Sequence, residues 1–147
     1  MVSSFDKYLN RKEIVFYASN DIVMSRLVNI YDDNGNIKES TFYKPEHSID
    51  YQSISKYDKN GNETEINIYN ADGSLDTKRT YKYDSEGNLQ EMIVYAADGS
   101  VQAKEIYGYE FDRMGNWIKK TTRKWARKGN KLTTESTFFI KRKITYY

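Results

Sequence analysis

The sequence predicts an all-β chain, an antiparallel meander of about nine or ten strands that forms a curled open sheet or partial shell. Three observations predict it. Tyr57-Asp58-Lys59-Asn60-Gly61-Asn62 returns as Tyr83-Asp84-Ser85-Glu86-Gly87-Asn88 after 26 residues, and Asn70-Ala71-Asp72-Gly73-Ser74 returns as Ala96-Ala97-Asp98-Gly99-Ser100 at the same shift. The glycines of these motifs, Gly61, Gly73, Gly87 and Gly99, stand at alternating gaps of 12 and 14 residues. Between them lie runs of about seven to ten residues rich in Thr, Tyr, Ile and Val, which suit strands and are too short for helical crossovers. In Asp84-Ser85-Glu86-Gly87 and Asn70-Ala71-Asp72-Gly73 an Asp or Asn opens a four-residue turn and Gly closes it in the left-handed conformation, so these motifs read as hairpin turns.

Carried backwards, the register aligns Tyr31-Asp32-Asp33-Asn34-Gly35-Asn36 with these turns. It also places His47 and Asp21 at glycine positions, where either residue tolerates positive φ better than most. The first copy, Phe5-Asp6-Lys7-Tyr8-Leu9-Asn10, puts Leu9 there, and a remodelled or frayed turn is expected. Forwards, Phe111-Asp112-Arg113-Met114-Gly115-Asn116 arrives 28 residues after Tyr83, and a bulge within Ile106–Glu110 is expected to absorb the two additional residues. Ala126-Arg127-Lys128-Gly129-Asn130 then closes a longer hairpin, and Lys131 to Tyr147 reads as one bent strand or two strands with a kink near Lys141-Arg142-Lys143. Alternation supports the strands: Leu75, Thr77, Arg79, Tyr81 and Tyr83 share one face, as do Val101, Ala103, Glu105 and Tyr107. Met92-Ile93-Val94-Tyr95 is apolar on both faces, which suits a sheet that curls there or meets another chain.

At 147 residues without a linker or composition break, one domain over 1–147 is expected. Aromatic residues make up 15% of the chain against only 38% hydrophobic in total, so half-wet strands carrying tyrosine are expected in place of a large oily core. The chain has no Cys, which excludes disulfides and thiolate metal sites. No run reaches the length of a transmembrane helix, and Met1–Asn10 carries no apolar signal segment.

Chemistry is harder to find. Asp32, Asp58, Asp84 and Asp112 are set apart by whole hairpins, and each has a turn to cap, so a structural role outweighs metal binding. His47 is the sole histidine and cannot assemble a dyad or a histidine metal cluster. Ser48–Ser55 lacks a nucleophile elbow and a base, and the glycines do not lead into helices as a phosphate loop would. Neither catalytic residues, nor a cofactor, nor a metal site is expected.

Charge is more informative. Residues 1–103 carry 11 Lys/Arg against 17 Asp/Glu, whereas residues 104–147 carry 12 against 4. Lys119, Lys120, Arg123, Lys124, Arg127, Lys128 and Lys131 interleave with Trp117 and Trp125, which makes this hairpin the candidate binding surface. Such a surface suits a protein, an anionic polysaccharide or peripheral contact with anionic lipid. Nucleic acid ranks lower although phosphate attraction and base stacking suit it too, and the plain alternative is a solubilising face at a lysine-protected edge. Trp117, Thr121, Arg123 and Trp125 share one face if no bulge intervenes. Edge strands offer a route to self-association.

The copies at Tyr31, Tyr57 and Tyr83, with the Phe111 variant, resemble the YD repeats of the bacterial Rhs/YD-repeat superfamily over roughly residues 5 to 130. The ending, Gly115-Asn116-Trp117-Ile118-Lys119-Lys120 followed by Ile144-Thr145-Tyr146-Tyr147, is similar to that of small secreted or lipid-anchored members. The resemblance implies a long antiparallel sheet, which in large relatives spirals into a shell around a toxin or other polypeptide. Copies are too few here for a complete shell, and the self-cleaving core segment and variable toxin domain of many large members are lacking. What it implies is a noncatalytic scaffold or cell-surface interaction module, secreted or in the bacterial envelope. A glycan-, peptide- or anionic-lipid-binding module is the alternative.

Overall fold

The computed structural model describes residues 1–129 and 131–146. Asn130 of the expected final hairpin turn, Tyr147 of the closing segment and the side chain of Glu135 lie outside the described residues. The fold is all-β, with β1 (Val2–Phe5), β2 (Arg11–Tyr17), β3 (Val23–Tyr31), β4 (Ile37–Tyr43), β5 (Ile49–Tyr57), β6 (Glu63–Asn70), β7 (Leu75–Tyr83), β8 (Leu89–Ala96), β9 (Val101–Phe111), β10 (Trp117–Lys128) and β11 (Lys131–Lys141). Strand order follows chain order from β1 to β11, and the registers show antiparallel neighbours. Among the described residues β1 and β11 stand first and last in that order and are not paired with each other. Contacts divide the chain within β7 into two compact units, Met1–Lys78 and Arg79–Tyr147.

Among the described residues the count is eleven rather than nine or ten because the first turn forms. Leu9 adopts φ 67°, its N–H donates to Asp6 O at 3.1 Å and Asp6 N–H donates to Asn10 O at 2.9 Å. What holds Leu9 in a conformation costly to a branched side chain is the Asp6 carboxylate, which accepts from the N–H groups of Tyr8 at 2.8 Å and Asn10 at 2.9 Å. His47 and Asp21 take positive φ as expected, at 67° and 61°.

In the first unit, cross-strand registers align Ile14, Leu27, Phe42 and Tyr51 on one face. Phe42 and Tyr51 stack with ring centroids 4.4 Å apart. The next row on that face is polar: Ser40 Oγ donates to Asn29 Oδ1 at 2.8 Å, and Asn29 Nδ2 donates to Arg11 O at 3.1 Å, so the buried amide is satisfied. Across the opposite face run Glu13, Val28, Thr41, Gln52 and Tyr69. Among the described residues only Ile14, Asn29, Thr41 and Thr122 are buried, and no large side chain is fully so. Among the described residues all strands belong to one sheet, so side chains are shielded chiefly by their cross-strand neighbours.

In the second unit the two additional residues are not absorbed by a bulge. From Glu110↔Lys119 to Ala103↔Ala126 the register of β9 with β10 runs without a shift, and the residues lengthen the strands instead. β9 spans 11 residues, against 9 in β3, β5 and β7. Met92 to Tyr95 is half-buried throughout, with Ile93 opposite Lys104 and Val94 opposite Ala103. β11 ends at Lys141, and residues 142–146 are not strand.

Candidate binding surface

The tyrosine-aspartate motif builds the same local device in each copy. Asp58 Oδ1 accepts from the N–H groups of Asn60 and Asn62 at 2.8 and 2.9 Å, while Asn62 Nδ2 donates to Oδ2 at 3.0 Å. Asp32 and Asp84 do the same within their own turns. The side-chain amide and then the backbone amide of Asn62 hold the Asp58 carboxyl below the usual range. These carboxylates are occupied turn caps.

The tyrosine ahead of the aspartate has a second task. Tyr31 Oη donates to Arg11 O at 2.9 Å and Tyr57 Oη to Ile37 O at 2.7 Å, each reaching the residue that follows the turn asparagine of the preceding copy. At the last copy the tail supplies the equivalents. Arg142 Nε donates to Trp117 O, its guanidinium lies 4.0 Å from the Trp117 ring, and Tyr146 Oη donates to Asp112 Oδ2. Asn116 Nδ2, in turn, donates to Tyr146 Oη at 2.7 Å. The tail thus closes the final turn.

A row of glutamates at the same 26-residue spacing escaped the sequence reading. Glu13 pairs with Arg26 at 3.3 Å, Gln52 donates to Glu39 at 2.9 Å, Lys78 contacts Glu65 at 2.7 Å and Lys104 contacts Glu91 at 2.6 Å. Glu65 and Glu91 each take a second lysine, Lys56 at 2.8 Å and Lys82 at 2.7 Å. Hydrogen bonds from Lys56 and Lys78 pull Glu65 down to about 2, and those from Lys104 and Lys82 lower Glu91. At the hairpin of β9 and β10 the signs exchange, with Glu110 on β9 facing Lys119 on β10 at 2.6 Å.

The hairpin of β10 and β11 divides the predicted basic surface between its two faces. Lys120 and Lys124 point with β9 residues Tyr107, Tyr109 and Glu105. Lys120 Nζ lies 4.5 Å from the Tyr107 ring, and Lys124 pairs with Glu105 at 2.7 Å. Partial burial opposes ionisation of Glu105, but hydrogen bonds from Lys124 and Tyr107 outweigh it and lower its pKa. Burial and then Glu105 raise that of Tyr107. Thr122, 3% exposed, sits in register between Tyr107 and Phe138.

On the other face lie Lys119, Arg123 and Trp125, in the rows of Lys141, Thr137 and Thr134. Arg127 Nε donates to Gly129 O at 3.0 Å, while Lys128 and Lys131 pair at the hairpin end and are exposed. Trp117 does not join this face by simple alternation, because a register shift between Trp117 and Lys119 intervenes. The expected row of Trp117, Thr121, Arg123 and Trp125 therefore reduces to its last three members.

An open hollow of about 650 Å³ lies in the first unit between the Asp6 and Asp32 turns, and of the three aspartates lining it Asp6 and Asp32 are the turn caps described above. Among the described residues no group of three His, Cys, Asp or Glu side chains is placed to hold a metal ion.

Neither a scan against models of protein families nor a search of curated proteins finds a match. Among solved structures, a porin-like protein from Bacteroides uniformis is similar at 8% identity and a TM-score of 0.45, over 93% of this chain and 86% of that one. TcdB2-TccC3 without its hypervariable C-terminal region matches 81% of this chain at 11% identity and a TM-score of 0.41. The Photorhabdus luminescens Tc holotoxin pore carrying a TccC3 mutation matches 88% at 10% identity and a TM-score of 0.29. This chain spans only 8% and 9% of those two toxin chains.

Proposed function

We propose that this chain is a noncatalytic YD-repeat scaffold that serves as an interaction module, secreted or at a bacterial cell surface. The observation that carries this reading is the fate of its carboxylates. Asp32, Asp58 and Asp84 hold turns, and Glu13, Glu39, Glu65 and Glu91 hold cross-strand rows. A general acid or base needs a group aimed at a substrate, and these groups are aimed at the protein itself. Incubating the purified chain with isolated cell-envelope fractions and, in parallel, with a panel of hydrolase substrates tests the reading. Saturable envelope binding without turnover is expected. Turnover abolished by substituting one of these carboxylates overturns it.

A glycan-, peptide- or anionic-lipid-binding module is the second reading, favoured by the exposure of Arg123, Lys128 and Lys131 along the last hairpin. Its test is Trp125→Ala with Arg123→Ala. Unchanged binding to glycan and lipid arrays, with the fold retained, counts against it.

A further inference from the structure

We propose that the free edge of β11 accepts an extended polypeptide strand, acidic at both ends and apolar where it crosses Phe138, Phe139 and Ile140. This rests on the scaffold reading and gives the partner its chemistry. β11 stands last in the strand order, and its inner side is engaged by β10 from Lys119↔Lys141 to Lys128↔Lys131. Along the outer side no strand pairs among the described residues, so backbone N–H and C=O groups stand in a row with no strand partner. The tail does not fill that row. Arg142 N–H donates to Ile118 O of β10 at 3.0 Å, and Tyr146 reaches the Asp112 turn, so the chain leaving β11 keeps to the β10 side.

Side chains along this edge are unusual for an unprotected strand. Phe138, Phe139 and Ile140 are 42%, 59% and 53% exposed, and their alternation makes both faces of the edge apolar. Lysine commonly blocks an edge, yet residues 132–140 contain neither Lys nor Arg. The cations sit instead at the two ends, Lys128 and Lys131 at one and Lys141, Arg142 and Lys143 at the other. A bilayer would cover the phenylalanines but leave the backbone groups without partners. An added strand covers the side chains and pairs the backbone together, and acidic ends match the flanking cations.

The test uses the full chain and a synthetic peptide as long as β11, with a Val/Thr centre and Asp/Glu ends. A lysine-ended version and versions N-methylated at alternate amides serve as controls. Titration should show saturable binding, with amide chemical-shift changes concentrated in residues 132–140. Lysine ends, N-methylation in the pairing phase and the double substitution Phe139→Thr/Ile140→Thr should each weaken it on the order of 10-fold. Threonine keeps the strand preference, and an unchanged far-ultraviolet spectrum confirms that the variant hairpin folds. Several results overturn the proposal: no binding by the folded chain, shifts centred on β1, indifference to N-methylation, or self-association through β11 that excludes the peptide. Binding to phosphatidylglycerol vesicles in place of the peptide overturns it too. Envelope binding that persists when the peptide fails removes this proposal alone, whereas hydrolase turnover removes the scaffold reading beneath it.

Discussion

Replacing Glu65 by Gln removes the charge that two lysines share. Lys56 and Lys78 approach Glu65 at 2.8 and 2.7 Å, and the carboxylate side chain is only 17% exposed. The gap between the ordinary value of 4.5 and about 2 corresponds to a ceiling of about 3.4 kcal/mol. Water screens both partners, since the Lys56 side chain is 66% exposed and that of Lys78 37%. A loss of about 1–2 kcal/mol is therefore expected at neutral pH. Because the folded pKa is depressed, the contribution is complete above the unfolded value of 4.5 and fades as pH falls through about 2. Urea unfolding of the parent and Glu65→Gln chains at a series of pH values reads this directly: the two stability curves should lie apart at pH 7 and converge toward pH 2. Parallel curves across that interval, or equal stabilities at pH 7, would refute the assignment. Lys78→Met, alone and combined with Glu65→Gln, gives the pairwise coupling, which should be positive and shrink with added salt.

Leu9→Gly should stabilise the chain by about 0.5–1 kcal/mol, because glycine accepts the φ of 67° that leucine adopts at a cost; equal or lower stability in thermal unfolding would show that the turn is relaxed already. Gly61→Ala should destabilise by about 1 kcal/mol at its φ of 82°, although the new methyl would meet only Asn36 Oδ1 at 3.7 Å, so a neutral melt would deny the conformational cause. Tyr146→Phe removes the hydroxyl held by Asp112 and Asn116, and trypsin should then cut after Arg142 and Lys143 faster than in the parent. Glu110→Lys alone should cost about 0.5–1 kcal/mol by facing Lys119 with a like charge, and adding Lys119→Glu should restore stability to near the parent value in a double-mutant cycle.

The turns were legible because Tyr-Asp-x-x-Gly-Asn repeats by identity, and even Leu9 was placed at the right position. Its outcome was missed because propensity speaks for one residue, whereas the Asp6 carboxylate fastens two backbone amides around it. The glutamate row was equally present in the sequence, at 13, 39, 65 and 91, but its partners at 26, 52, 78 and 104 are Arg, Gln, Lys and Lys. A position that conserves a role while changing residue type does not register as a repeat. The basic hairpin was found as a run of residues and lost as a single surface, since strand alternation sends Lys120 and Lys124 to one side and Lys119 and Arg123 to the other. Trp117 dropped out for a local reason, the register shift beside the Asp112 turn. Arg142 and Tyr146 belong to no repeat, so only the folded tail shows what they close.

That tail makes the two ends of the meander unequal. In a repeat array each copy is stabilised by its neighbours, and the terminal copies have one neighbour fewer. Beyond β11, Arg142 and Tyr146 hold Trp117 and Asp112, the part that Tyr31 and Tyr57 play for the copies before theirs. At the N-terminal end β1 is four residues long, its Val2 and Phe5 are 60% and 54% exposed, and the turn behind it depends on left-handed Leu9. Local opening should therefore begin at β1, and amide exchange in Val2–Phe5 should outpace that in residues 132–140. The capped end holds its last strand in place, and a strand held in place is what an incoming partner needs to pair with. Faster exchange in β11 than in β1 would remove that ordering and, with it, the physical basis for preferring the β11 edge as the docking strand.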